Sequence, residues 1–293
     1  MAAPLPQAVK MMLASRDHRL KHYIWHGVRN SWLRMNDNQR QAILALYPGW
    51  EPPRPALDAN GASLRDNGSG EDFLFMHRQM IAMVNESLAQ IADANYSQVI
   101  GWPSLPLPGD PQFPVPDYPG LNADQKTDAY FQDPIQTWEA TYTSQNYLQG
   151  VTLGQLGSDI EMTIHNDMHV RWAAPTPLGR RPRNFFNAVD PRWNDVAYDD
   201  LLDTYSSHVN DVFWKLHGWV DNRIEQWKQA NNVQDPIPWQ GTWIGPHDME
   251  HLPMFGFRAV RRTTPADLDR LTRVARVLSE AGFDGFFRPK RQR

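Results

Sequence analysis

Cysteine is absent from the 293 residues. Disulfide bonds, thiolate metal ligands and cysteine nucleophiles are therefore excluded, and any transition metal would have to be bound by histidine and carboxylate side chains. The sequence also lacks a large excess of one charge, since its net charge is −4. This excludes the strongly basic surface that nucleic acids attract, so we expect no nucleic-acid partner.

Long apolar runs are missing as well. No stretch is apolar enough to span a bilayer, and residues 1–19 are interrupted by Pro4, Pro6 and charged side chains before an apolar run of signal-peptide length develops. We therefore expect a soluble cytoplasmic protein without a membrane partner.

Segments that contain little proline or glycine predict helices between long irregular segments. Residues 71–94, for example, place apolar side chains along one helical face. Ser206 or Ser207 is the predicted cap of a later helix, and the Pro-rich residues 101–120 are predicted to be a long loop. Helices are predicted over residues 18–47 in two pieces, 71–94, 160–172, 212–229 and from Pro265 onward. The fold class is therefore mainly α with long Pro-rich loops.

Histidine is scarce but occurs in pairs. Six of the ten histidines form three HxxxH pairs, namely His22/His26, His165/His169 and His247/His251. Residues four apart lie on one face of a helix, so both imidazoles of a pair can bind one metal ion. His77 and His217 lie within predicted helices beside apolar residues. This pattern indicates metal binding, and buried hydrogen-bonded histidines are the open alternative.

Two segments resemble the copper-B region of tyrosinases and catechol oxidases. They are IEMTIHNDMHVRW at residues 160–172 and VNDVFWKLHGWVDNRIEQW at residues 209–227. In that family an HxxxH pair and a later histidine bind one copper ion, and His165, His169 and His217 match these positions. The segment FLFMHR resembles the family's FLPWHR and puts His77 at the position of the third copper-A ligand. The sequences of these motifs are most similar to those of bacterial tyrosinase-like proteins of the pyoverdine-maturation kind.

The resemblance covers about residues 20–230. It implies a four-helix bundle core with a type-3 copper site, in a single catalytic domain 1–293 with its core at about 18–230 and a C-terminal extension, 231–293, that contains a terminal helix. It implies a copper-dependent oxidoreductase, a phenol monooxygenase or diphenol oxidase. The implied substrates are O2 and a phenolic small molecule or tyrosine-containing peptide, in secondary-metabolite maturation. The alternative is a non-catalytic copper- or oxygen-binding relative with a degenerate copper-A site.

The copper-A region departs from the family pattern, because the loop 48–70 that should contain its first two histidines has none. The pair His22/His26, upstream of His77, is similar to the copper-A arrangement of arthropod hemocyanins. The pair His247/His251 offers the same spacing from the C-terminal side. We prefer His22/His26, because a pair followed by a single histidine repeats the copper-B order. Two copper ions are expected, or one if copper A is degenerate.

The resemblance also implies three supporting residues. Glu161, one helical turn before His165, and Asn166, directly after it, occupy the positions of family residues that hold a water near copper B, where a phenol must lose its proton. Asp221 matches the family's VD aspartate and would accept a hydrogen bond from a ligand imidazole. The structural alternatives are a first-turn helix acid for Glu161, a surface amide for Asn166, and a helix-surface salt bridge of Asp221 with Arg223 or a lysine.

Overall fold

The computed structural model describes residues 4–183, 190–239 and 263–290. Helix dominates these residues, and the β pairing found among them consists of two isolated antiparallel bridges, Leu57 with Ser63 and Asp203 with Phe286. The prediction of a mainly α fold is therefore confirmed. Within the same ranges, no helix combines the length and the apolar character that crossing a bilayer requires.

The helices are separated by turns and irregular segments. In chain order they are α1 (Gln7–Leu13), α2 (Arg16–Ser31), α3 (Asp37–Leu46), α4 (Ser69–Ile91), α5 (Asp128–Tyr130), α6 (Gln136–Thr143), α7 (Gln145–Gly150), α8 (Leu153–Ile160), α9 (Asn166–Arg171), α10 (Asp211–Ala230) and α11 (Pro265–Glu280). Short 3₁₀ turns lie at Asp124–Lys126, Pro191–Asn194 and Ser207–Val209. A kinked turn, Phe131–Ile135, joins α5 to α6. A π-helical turn, Glu161–His165, joins α8 to α9, so that residues 153–171 form one continuous helix.

Most predicted helices are present, with one wrong cap. Residues 18–47 contain two helices, and the last helix begins at Pro265 after a capping box formed by Thr264 and Asp267. The cap of α10 is Asn210 rather than Ser206 or Ser207, because the Asn210 side-chain oxygen accepts a hydrogen bond from the Val212 amide at 2.9 Å. The segment 101–120 is irregular, as predicted.

Two apolar clusters form the core. The larger one surrounds α4, α10 and the helix 153–171, and it includes Phe73, Ile164 and Phe213. The second lies between α2, α3 and α11, where Ile24 packs with residues such as Leu271. The terminal helix of the predicted C-terminal extension is thus packed against α2 and does not stand apart from it.

Helices α4 and α8 cross in very close contact. A Cβ atom on Gly70 would lie 2.0 Å from the carbonyl oxygen of Gly154, and one on Gly157 would lie 2.2 Å from the carbonyl oxygen of Gly70. Only a hydrogen atom fits at Gly70 and Gly157. The absence of side chains there lets the helix with His77 lie directly against the helix with His165 and His169.

We predict that Gly70→Ala lowers the free energy of unfolding by about 3 kcal/mol, because the added methyl group must push two backbones apart. Gly150→Ala is the matched control, since nothing lies within 4 Å of the methyl group that it adds. Chemical denaturation of both variants measures the difference. Equal stability of the two variants would contradict the close crossing of α4 and α8.

Candidate metal centre

Six buried histidines from four helical segments form one cluster, to which His169 belongs through its contact with His165. Helix α2 contributes His22 and His26, α4 contributes His77, the helix 153–171 contributes His165 and His169, and α10 contributes His217. We name His22, His26 and His77 the first triad, and His165, His169 and His217 the second triad. The alternative copper-A pair, His247 and His251, lies outside the described residues.

The Nε2 atoms of these rings face one another. The Nε2 of His165 lies 3.1 Å from the Nε2 of His217 and 3.1 Å from that of His169, and the Nε2 atoms of His22 and His26 are 3.2 Å apart. Two histidines bound tetrahedrally to one metal ion by bonds of about 2.0–2.1 Å have nitrogens about 3.3–3.4 Å apart, close to these separations. His77 has a ligand nitrogen within 4.8 Å of both His22 and His26 and of both His165 and His217. These buried groups could hold metal ions.

Backbone carbonyls fix the tautomer of four rings. The Nδ1 atoms of His22, His77, His169 and His217 lie 2.6, 2.8, 2.8 and 2.7 Å from the carbonyl oxygens of Thr204, Phe73, Leu201 and Phe213, respectively. A carbonyl oxygen can only accept a hydrogen bond, so each Nδ1 must donate one. In a neutral ring the lone pair is then on Nε2, the atom that faces the cluster.

Burial keeps the six rings neutral. Desolvation lowers the pKa of His22 to about 4 and the pKa of His169 to about 3, and it holds the pKa values of the other four rings well below the usual value for histidine. At every one of these rings except His22, the charge that a neighbouring histidine would carry if protonated lowers the pKa further. Neutral imidazole is the form that binds a metal ion.

Hydrogen bonds between the rings cannot satisfy these nitrogens. His169 and His217 both present lone pairs to the Nε2 of His165, which offers at most one proton, and offers none if its Nδ1 donates to the Asn166 side-chain oxygen 3.1 Å away. The Nε2 of His77 is buried and has no hydrogen-bond partner. Unsatisfied buried groups are costly, whereas a cation between the nitrogens would satisfy them. The donor set therefore fits a transition metal that accepts imidazole, such as copper, zinc, iron or nickel.

Glu161 and Asn166 both lie beside the cluster. Glu161 is buried within the π-helical turn and forms a two-point ion pair with Arg29, whose Nη2 lies 2.9 Å from Oε2 of Glu161. Burial raises the pKa of Glu161, and the charge of Arg29 opposes that shift. Asn166 contacts the ring of His165 through its side-chain oxygen. Nothing in the local sequence pattern pointed to Arg29 as the partner of Glu161.

The expected role of Asp221 is wrong. Its carboxylate accepts a hydrogen bond from Nε of Arg78 at 2.6 Å, whereas the Nδ1 proton of His217 is donated to the Phe213 carbonyl one turn earlier on the same helix. Because that carbonyl already fixes the ring, Asp221 is not needed to orient it. A salt bridge is formed instead, but its partner is Arg78 rather than Arg223 or a lysine, and it ties α10 to α4.

A segment near the C-terminus, residues 284–290, covers the cluster, and sequence analysis missed it. The ring of Phe287 stacks on His169 with centroids 4.2 Å apart and lies 5.7 Å from the ring of His165. Lys290 holds this covering segment in place through an ion pair of 2.8 Å with Asp167. The partners are far apart in the sequence, so no local pattern predicts the contact.

A cavity of about 310 Å³ reaches the cluster at His26. Its wall also includes Asn30, Glu161, Asn166 and Phe287. A larger surface cavity of about 520 Å³, lined by residues such as Val151, Trp227 and Ile237, contains none of the six histidines. The smaller cavity is therefore the candidate entrance to the metal centre.

We predict that the metal-free protein loses stability as the pH falls below about 6.5. Histidines of the unfolded chain bind protons there, whereas the folded protein keeps His22 neutral down to a pKa of about 4 and His169 down to about 3. Acid therefore favours the unfolded chain, and this contribution is complete only above the unfolded pKa. Each such histidine adds a slope of about 1.4 kcal/mol per pH unit.

Denaturation of the metal-free protein between pH 7 and pH 5 measures this slope. His169→Gln should reduce it by the contribution of about one proton, because glutamine does not titrate. A slope that stays unchanged in His169→Gln would contradict the neutral, buried state of this ring.

Neither a protein-family model nor a curated protein matches the chain. The assignment of a candidate metal centre therefore rests on the geometry of the histidines. That geometry consists of two adjoining sets of buried imidazole nitrogens whose tautomers are largely fixed by backbone carbonyls.

Proposed function

We propose that the protein is a copper-dependent oxidoreductase that uses O2 to hydroxylate or oxidise a phenol, on a four-helix bundle of the tyrosinase type. The observation that carries the proposal is a pair of adjoining sets of buried ligand nitrogens, His22/His26/His77 and His77/His165/His217, which share His77. His169 joins the second set through an Nε2–Nε2 distance of 3.1 Å to His165. The resemblance of residues 160–172 and 209–227 to the copper-B region supports copper over the other metals that accept imidazole. Bound copper would supply the activation of O2 and the oxidation of the substrate.

Each triad would hold one ion. The second triad supplies the three histidines that match copper B, and the first triad supplies copper A through His22, His26 and His77. His77 lies near both sets of nitrogens, so the two sites adjoin. In this proposal the missing histidines of the loop 48–70 are replaced by the pair on α2.

Glu161 and Asn166 are the proposed groups that handle the substrate proton. Both line the cavity beside His26. A carboxylate has about four acceptor positions, so Glu161 can accept a hydrogen bond from a water while it is paired with Arg29. The amide of Asn166 can orient the same water, which would take the phenol proton.

The covering segment indicates how an aromatic substrate would bind. Phe287 already stacks a flat ring on His169, within the wall of the cavity. A phenolic small molecule or the side chain of a tyrosine-containing peptide would bind in the same orientation after displacing Phe287. Access to the centre therefore depends on this side chain.

We predict two copper ions per chain in the parent protein and at most one in His165→Ala/His169→Ala, because the change removes two nitrogens of the second triad. Metal analysis after dialysis measures the content, and circular dichroism checks the fold. His208→Asn is the matched control, since His208 is buried beside His22 but bonds through Nε2 to the Leu13 carbonyl. Unchanged copper content in the double variant would contradict the second triad.

We predict that the copper-loaded protein consumes O2 with catechol or 4-methylphenol. Phe287→Ala should raise kcat/KM about tenfold, because the substrate then no longer has to displace a stacked ring, which costs about 1 kcal/mol or more. Phe283→Ala is the control, because Phe283 packs with Tyr23 and not on the second triad. Two bound copper ions without O2 consumption in Phe287→Ala would instead favour a non-catalytic copper- or oxygen-binding protein.

A further inference from the structure

We propose that Arg29 is a positioning residue that sets the distance between the two triads, an inference that rests on the proposed function. Arg29 belongs to α2, and its guanidinium pairs with Glu161 on the helix 153–171. The same guanidinium donates to the carbonyl oxygen of Ser69, the first residue of α4, at 2.7 Å. One fully buried side chain therefore links three of the four elements that present histidines.

The backbone of α2 needs such a link. Helix α2 packs mainly along α11, and its direct contact with α4 and with the helix 153–171 is sparse, whereas α4 packs closely on α8 and α10. His22 and His26 therefore reach the other histidines across a gap that side chains must define. Arg29 lies about one turn after His26, and Glu161 lies one turn before His165. Their ion pair spans the gap beside the ligands.

The rings on the two sides of the gap are aligned. His26 of the first triad and His165 of the second triad lie parallel to within 9°, with centroids 6.4 Å apart. Arg29 is itself held from another side, because its guanidinium lies 4.4 Å from the ring centre of Trp25. A planar guanidinium has donors in fixed directions, so a change of its partners changes the distance between the helices.

Stability alone does not account for this pair. A buried ion pair contributes little compared with well-packed apolar residues of similar volume, because both charges lose their hydration. Apolar residues, however, do not fix the direction of one helix and its distance from two others at once. The hydrogen bonds of Arg29 fix both for α2, beside the facing rings of His26 and His165.

The test compares Arg29→Met/Glu161→Leu with the parent protein, and it removes both charges so that neither stays buried alone. Both proteins are loaded with copper and oxidised to Cu(II). Two closely spaced, bridged Cu(II) ions couple magnetically and give little EPR signal, so we expect a nearly silent parent. We expect the double variant to keep two ions but to show a several-fold larger EPR-detectable fraction, because the spacing of the ions changes.

Arg65→Met/Asp159→Leu is the matched control. It removes a two-point ion pair in which Nε of Arg65 lies 2.8 Å from Oδ1 of Asp159. Asp159 lies two residues before Glu161, and neither partner belongs to α2. The control should remain as silent as the parent. Arg29→Lys, which keeps the charge without the guanidinium fork, should give an intermediate signal and replaces the double variant if that variant does not fold.

An EPR signal as small as that of the parent in the double variant would overturn the role of Arg29. If the double variant does not fold, the same result in Arg29→Lys would do so. An equally large increase of the signal in the control would also overturn it. A folded double variant that binds only one ion would support the role, because the triads would no longer be held in register. A parent that binds fewer than two ions, or whose copper is fully EPR-visible, would overturn the dinuclear centre itself. Failure of this inference is thus distinct from failure of the proposed function.

Discussion

A hydrogen bond from Nδ1 to a backbone carbonyl commits a histidine to present its lone pair at Nε2, and four of the clustered rings are committed in this way. For His77 and His217 the carbonyl belongs to the preceding turn of the same helix. For His22 and His169 it belongs to the loop 201–204, which thereby fixes one ring of each triad. The candidate metal centre depends on this arrangement, because a cation between lone pairs that converge away from water would satisfy them.

The loop 201–204 is in turn anchored by a buried ion pair. Arg181 contacts both carboxylate oxygens of Asp203, and the hydroxyl of Tyr198 donates to the same carboxylate at 2.7 Å. The charges around the centre are thus paired among themselves, as are those of Arg29 and Glu161. Charge brought by bound metal would therefore meet six neutral imidazoles rather than a compensating carboxylate ligand.

Local patterns were enough to predict the helices and the histidine pairs that share a helical face, because both depend on neighbours in the sequence. The four-residue spacing of His22/His26 and His165/His169 is a helical property, and α4 was predictable because residues 71–94 lack proline and glycine. The pairing of Arg29 with Glu161 joins positions 132 residues apart, and the stacking of Phe287 on His169 is also a long-range contact. Asp221 was misassigned because its position on α10 does not reveal that Arg78 on α4 competes for it.

Gly70 and Gly157 lie where the two backbones leave room for a hydrogen atom alone. Most outward-facing positions can exchange side chains over evolutionary time at little cost. Any replacement at this crossing would separate the helices that present His77 and His165, and would alter both triads together. Substitutions should therefore accumulate at outward-facing positions, whereas Gly70 and Gly157 should stay glycine for as long as the histidine cluster is under selection.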